Sequence, residues 1–97
     1  MSTADEKRYM NRVAELGCVV CRNLGHGATP AELHHPRSGV GKGQRSSNMD
    51  VIPLCPTHHR LGGHGVAFHA GQKTWQDKFG SEWDLVAQIK REIGGHE

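Results

Sequence analysis

Apolar side chains recur at helical spacing toward both ends of this 97-residue chain, and at shorter, irregular spacing in the middle. Near the start, "STADEKRYMNRVAELG" puts Tyr9, Val13 and Leu16 on one helical face. Thr3 can cap that helix, Glu6 three residues on completes a capping box, and Gly17 supplies the stop. A helix is therefore predicted over about 4–16. Toward the other end, "AGQKTWQDKFG" predicts a helix closing at Gly80, with Trp75 and Phe79 on one face. "SEWDLVAQIKREIGG" predicts another, capped by Ser81 with Asp84 as the box partner and carrying Val86, Ile89 and Ile93 on its apolar stripe. Helices thus occupy about 71–93.

The middle is different. "CVVCRNLGHGATP" is short and glycine-rich and is expected to be a tight turn. "AELHH" predicts a short strand, "PRSGVGKGQRSSN" a loop, and "DVIPL" a second strand whose Pro53 suits an edge position or a strand end. "PTHHRLGG" fits a short helix that starts near Pro56 and ends at Gly62–Gly63. The order is β–loop–β–α over about 31–70, which makes the fold class α+β. At this length residues 1–97 are expected to form a single domain.

Composition adds a constraint. Only 35% of the residues are hydrophobic and only five are aromatic, a thin supply for a core. Small domains of this kind lean on a metal, on disulfides or on a partner chain. Three cysteines are an odd count, which argues against a full disulfide framework. No apolar run approaches a membrane span, and "MSTADEKRYM" lacks the apolar stretch of a signal peptide. The expectation is a cytoplasmic protein whose thiols are free to bind metal. The net charge is only +2, but its distribution is uneven. Between residues 17 and 70, Arg22, Arg37, Lys42, Arg45 and Arg60 stand against Glu32 and Asp50, five positive against two negative. That excess suits a phosphate-bearing partner, or an ordinary solvated surface.

Two constellations carry chemistry. Cys18 and Cys21 form a C-x-x-C knuckle, and Cys55 and His58 form C-x-x-H. Together they make a Cys3His set of the kind that holds structural Zn²⁺ in a tetrahedron. A redox dithiol would call for a thioredoxin-like βαβ pattern, which is absent, and a disulfide for an oxidising compartment. The second constellation is His34, His35 and His59. Neighbouring residues on a helix point about 100° apart. If His58 turns to the zinc, His59 faces the strands, where either His34 or His35 can share a second ion with it.

"LHH", Asp50 fifteen residues after His35, and His59 after "LCPTH" together resemble the HNH (ββα-metal, or His-Me finger) nuclease motif. The C-x-x-C…C-x-x-H frame is one that many such nucleases use. The tail "GVAFHAGQKTWQDKFG" is similar to the phage recombination-enhancement (Ref-type) branch. The likeness covers residues 18 to about 80. It implies a zinc-stapled ββα-metal core with flanking N- and C-terminal helices. It further implies a metal-dependent DNA endonuclease or nickase of phage recombination or DNA processing, in the cytoplasm of a bacterial host. His34, His59 and His69 resemble ligands of a catalytic Mg²⁺ or Mn²⁺, with His64 the runner-up to His69. His35 resembles the general base. Asp50 stands where the family often has asparagine and would orient that base; Asn48 is the alternative. Arg37, Lys42, Arg45 and Arg60 would touch DNA phosphates, and a recombinase filament or another DNA-processing protein is an implied partner. The rival expectation is a catalytically inactive, zinc-stabilised DNA- or protein-binding module that assists a recombinase or packaging complex.

Overall fold

The structure is a computed structural model and describes residues 3–38 and 47–94. Helix α1 runs Ala4–Leu16. Its start is the predicted box: the Glu6 N–H donates to Thr3 Oγ1 at 3.1 Å and the Thr3 N–H to Glu6 Oε1 at 2.8 Å. Gly17 ends it at φ 80°, where a side chain would be strained. A Cβ at Gly17 would also come within 2.8 Å of Ala28 Cα, because the chain folds back here and the Cys18 N–H donates to the Thr29 carbonyl.

The segment expected as a tight turn instead opens with a short helix, α2, Val19–Asn23. Two things favour helix over turn. Cys18 Sγ caps it by accepting from the Cys21 N–H, and Val19 and Val20 are buried, so the two valines have an apolar surface to pack on. On its outer side Arg22 forks onto Glu92 at 2.9 and 3.0 Å.

Strands β1, Glu32–His34, and β2, Ile52–Leu54, pair antiparallel, with Glu32 opposite Leu54, Leu33 opposite Pro53 and His34 opposite Ile52. Both strands of a two-stranded sheet are edges, so Pro53 is tolerated at the centre of β2. All of β2 is buried, with α1, α2 and α4 packed against it. A one-turn 3₁₀ segment, Asn48–Asp50, leads into β2.

After β2, residues Thr57–Leu61 form a π-helical turn closed by the Gly62 N–H on the Thr57 carbonyl at 2.9 Å. A 3₁₀ turn, Phe68–Ala70, precedes α3, Gln72–Phe79, and α4, Glu82–Gly94. Ser81 caps α4 by accepting from the Asp84 N–H at 3.1 Å. Trp75 and Phe68 are fully buried, their rings 5.2 Å apart edge to face, and Phe79 meets Trp75 at 5.4 Å. The Trp75 indole N–H donates to the His58 carbonyl at 3.1 Å and so ties α3 to the π turn. Among the described residues no helix is long and apolar enough to cross a membrane.

Candidate metal centres

Adjacent imidazoles leave the π turn in different directions. His58 turns to the cysteines of α2 and to the one that follows β2, and its Nδ1 lies 3.2 Å from Cys55 Sγ, 3.6 Å from Cys21 Sγ and 3.8 Å from Cys18 Sγ. Cys21 and Cys55 sulfurs are 3.8 Å apart. At the usual zinc bond lengths a tetrahedron puts two sulfurs about 3.8 Å apart and a sulfur and a nitrogen about 3.5 Å. The four residues can therefore hold a metal ion such as zinc with little movement. All three cysteines are buried and free of disulfides. Burial pushes the Cys18 thiol up to about 11, so a soft cation must displace its proton. Burial first, then the charges of His26 and Lys78, lowers the His58 pKa and keeps its ring a neutral donor.

His59 turns the other way, onto β1. Its Nε2 lies 3.3 Å from His34 Nδ1 and 3.1 Å from His69 Nε2, the last supplied by the 3₁₀ turn before α3. The three imidazoles can hold one ion between them. Metal–nitrogen bonds of about 2.1 Å would put two ligand nitrogens about 3.0 to 3.4 Å apart. The hydrogen bonds make the case independently. His34 Nε2 faces Glu82 at 2.6 Å and His59 Nδ1 faces Glu32 at 2.9 Å. An ionised carboxylate only accepts, so both rings carry their proton there. Two lone pairs are then left facing each other at 3.3 Å, an arrangement that a cation between them stabilises.

Burial favours the neutral form of two of these rings. Burial lowers the His34 pKa against the pull of Glu82. Burial also lowers that of His69, assisted by His59, His34 and Arg37. Glu32 is held at about 2, chiefly by its hydrogen bonds from Arg60 and then His59. Burial opposes the charge on Glu82, yet hydrogen bonds from His34, Ser38 and the Arg37 and Ser38 backbone outweigh it and lower its pKa.

His35 lies just past the end of β1 and donates from Nε2 to Asn48 Oδ1 at 2.9 Å. Asp50, expected on this ring, is a correction. Its carboxylate turns to Lys90 at 2.8 Å instead, since successive residues of a 3₁₀ turn point about 120° apart and positions 48 and 50 cannot face one ring. Arg60 also departs from expectation. Its guanidinium forks onto Glu32 at 2.7 to 3.2 Å rather than standing ready for phosphate. Arg37 is exposed, and its charge is felt at His69. Lys42 and Arg45 lie outside the described residues. His64, the alternative to His69, stands apart from the cluster: its ring lies where a Cβ on Gly71 would come within 2.5 Å of Cδ2.

The family model for recombination enhancement, RecA-dependent nuclease, matches residues 2–93. The chain belongs to this family. No curated protein matches it in sequence. The span matched to the RecA-dependent nuclease family takes in both clusters, together with Glu32, His35, Asn48 and Glu82. Glu32 and Glu82 were not anticipated, although each left a trace in the sequence. Glu32 shares the inward strand face of His34, two residues on. Glu82 sits on the apolar stripe of Val86, Ile89 and Ile93, where a carboxylate is out of place unless something buried pairs with it.

Proposed function

We propose that this chain is a metal-dependent DNA endonuclease or nickase of recombination, built on an HNH-type ββα-metal core within a single domain. The observation that carries the reading is the convergence of His34, His59 and His69 nitrogens beside a histidine, His35, held by an amide. Cys18, Cys21, Cys55 and His58 would hold structural zinc, which ties α2 to β2 and the π turn. His34, His59 and His69 would hold Mg²⁺ or Mn²⁺. Such an ion would supply positive charge to the phosphate under attack.

The remaining steps belong to the side chains. Asn48 accepts the Nε2 proton of His35, so Nδ1 is the ring's basic atom. Nδ1 takes a proton from the attacking water as the new oxygen–phosphorus bond forms and the bond from phosphorus to the 3′ oxygen breaks. Glu32 and Glu82 keep the ligand rings in one tautomer. Arg37 offers its charge to the DNA backbone at the edge of the site, a contact that fixes register rather than sequence. Membership of the RecA-dependent nuclease family supports DNA coated by a recombinase filament as the substrate, and the cytoplasm of a bacterial cell as the place of action.

Nicking of supercoiled plasmid by zinc-replete protein tests the reading, with and without Mg²⁺ or Mn²⁺, on naked and on recombinase-coated DNA. Cation-dependent cutting is expected. Tight, salt-sensitive DNA binding with no cutting under any of these conditions contradicts it and favours a binding module.

A further inference from the structure

Glu82 is fully buried, at 0% exposure, and lies forty-eight residues from the histidine it contacts. Four donors converge on its carboxylate. Oε2 accepts from His34 Nε2–H at 2.6 Å and from the Arg37 N–H at 2.8 Å. Oε1 accepts from the Ser38 N–H at 2.8 Å and the Ser38 hydroxyl at 2.7 Å. The backbone of Glu82 is fixed in turn, its N–H donating to Gln76 Oε1 at 2.9 Å. The other side of the His34 ring packs on Phe68, with centroids 4.4 Å apart.

We propose that Glu82 is a positioning residue: it sets the tautomer and ring angle of His34, aims Nδ1 at the point shared with His59 and His69, and holds the chain that follows His35. The proposal rests on the cation reading of that cluster. Its chemistry is specific to a carboxylate. Two donors meet each oxygen, so both oxygens must accept. An amide presents N–H at one end. Turned toward His34, that N–H would force the ring to accept at Nε2 and carry its proton on Nδ1, where no cation could bind. Turned toward Ser38, it would meet a backbone N–H head on and displace the segment that follows His35. Either arrangement spoils the site, while the Cys3His set lies on other elements and is untouched. A carboxylate behind a ligating histidine commonly changes metal affinity ten- to a hundredfold.

The test reads the ring proton and the cation separately. In zinc-replete wild type, ¹⁵N-histidine spectra should show the His34 proton on Nε2, in slow exchange with water; a proton on Nδ1 overturns the proposal without need of any variant. Mn²⁺ binding, followed by electron paramagnetic resonance, should weaken about ten- to a hundredfold in Glu82→Gln while one zinc per chain is retained. Wild type that binds Mn²⁺, with Glu82→Gln binding it equally well, overturns the role of Glu82 alone. Wild type that binds no Mn²⁺ overturns the cation reading, and this proposal with it.

Discussion

His35 donates its Nε2 proton to Asn48 Oδ1 at 2.9 Å, which leaves Nδ1 as the ring's basic atom. Removing the amide frees the ring to rotate and to exchange tautomers. Asn48→Ala should therefore slow single-turnover cleavage by about 10-fold or more, an effect on the scale of other lost orienting contacts. Asp50→Ala should stay close to wild type in rate, because Asp50 bonds Lys90 and not His35. The reverse ranking of the two variants would contradict the assignment.

Metal removal tests the first cluster. A structural zinc contributes about 10–16 kcal/mol in finger peptides, as much as the whole stability of a small domain, about 5–15 kcal/mol. The Cys3His set joins α2, the end of β2 and the π turn, so its loss should release all three. A strong zinc chelator, or Cys21→Ala, should abolish the cooperative thermal transition followed by circular dichroism, and zinc should restore it in the chelated wild type. A metal-free chain with the wild-type melting temperature would contradict this.

Salt dependence separates the arginines. Each phosphate neutralised by a side chain adds about 0.9 to the slope of log K against log salt. Arg37 is exposed and has no acidic fork among the described residues, so Arg37→Ala should lower that slope by about one phosphate. Arg60 is already forked onto Glu32, and Arg60→Ala should change the slope much less. DNA-binding titrations at several salt concentrations give the answer. Equal losses would return Arg60 to the phosphate-binding set.

The Arg22–Glu92 fork predicts a pH pattern. Arg22 lowers the Glu92 pKa below the ordinary carboxylate value, with both side chains less than a third exposed. A depressed carboxylate contributes stability that is complete above its unfolded pKa and is lost as pH falls through the folded one. Glu92→Gln should therefore be destabilised by about 1 kcal/mol, by a constant amount from about pH 8 to about pH 5, with the gap narrowing only in more acid solution. Urea melts of both proteins across that range check it. A gap that closes already between about pH 7 and pH 6 would show that another group sets it.

Local signals in the sequence were translated faithfully where neighbours alone decide them. The Thr3–Glu6 box, the Gly17 stop and the apolar stripe of α4 need no distant partner, and the structure has each of them. The divergence of His58 and His59 follows from helical rotation and was equally legible. What escaped depends on contacts across the fold. Asp50 and Asn48 are both near the right spacing, and only the 3₁₀ turn decides which one faces His35. α2 needed the burial of Val19 and Val20 to become a helix. Arg60 looked free because Glu32 lies twenty-eight residues back, on a strand whose register no local pattern announces.

In the proposed reaction His35 removes the proton from the attacking water. Single-turnover cleavage of recombinase-coated DNA in Mg²⁺, by zinc-replete wild type and His35→Ala side by side, tests it most directly. The expected rate of His35→Ala is lower by about 10²- to 10⁴-fold, with zinc content and thermal transition unchanged. A His35→Ala protein that cuts at the wild-type rate would contradict it.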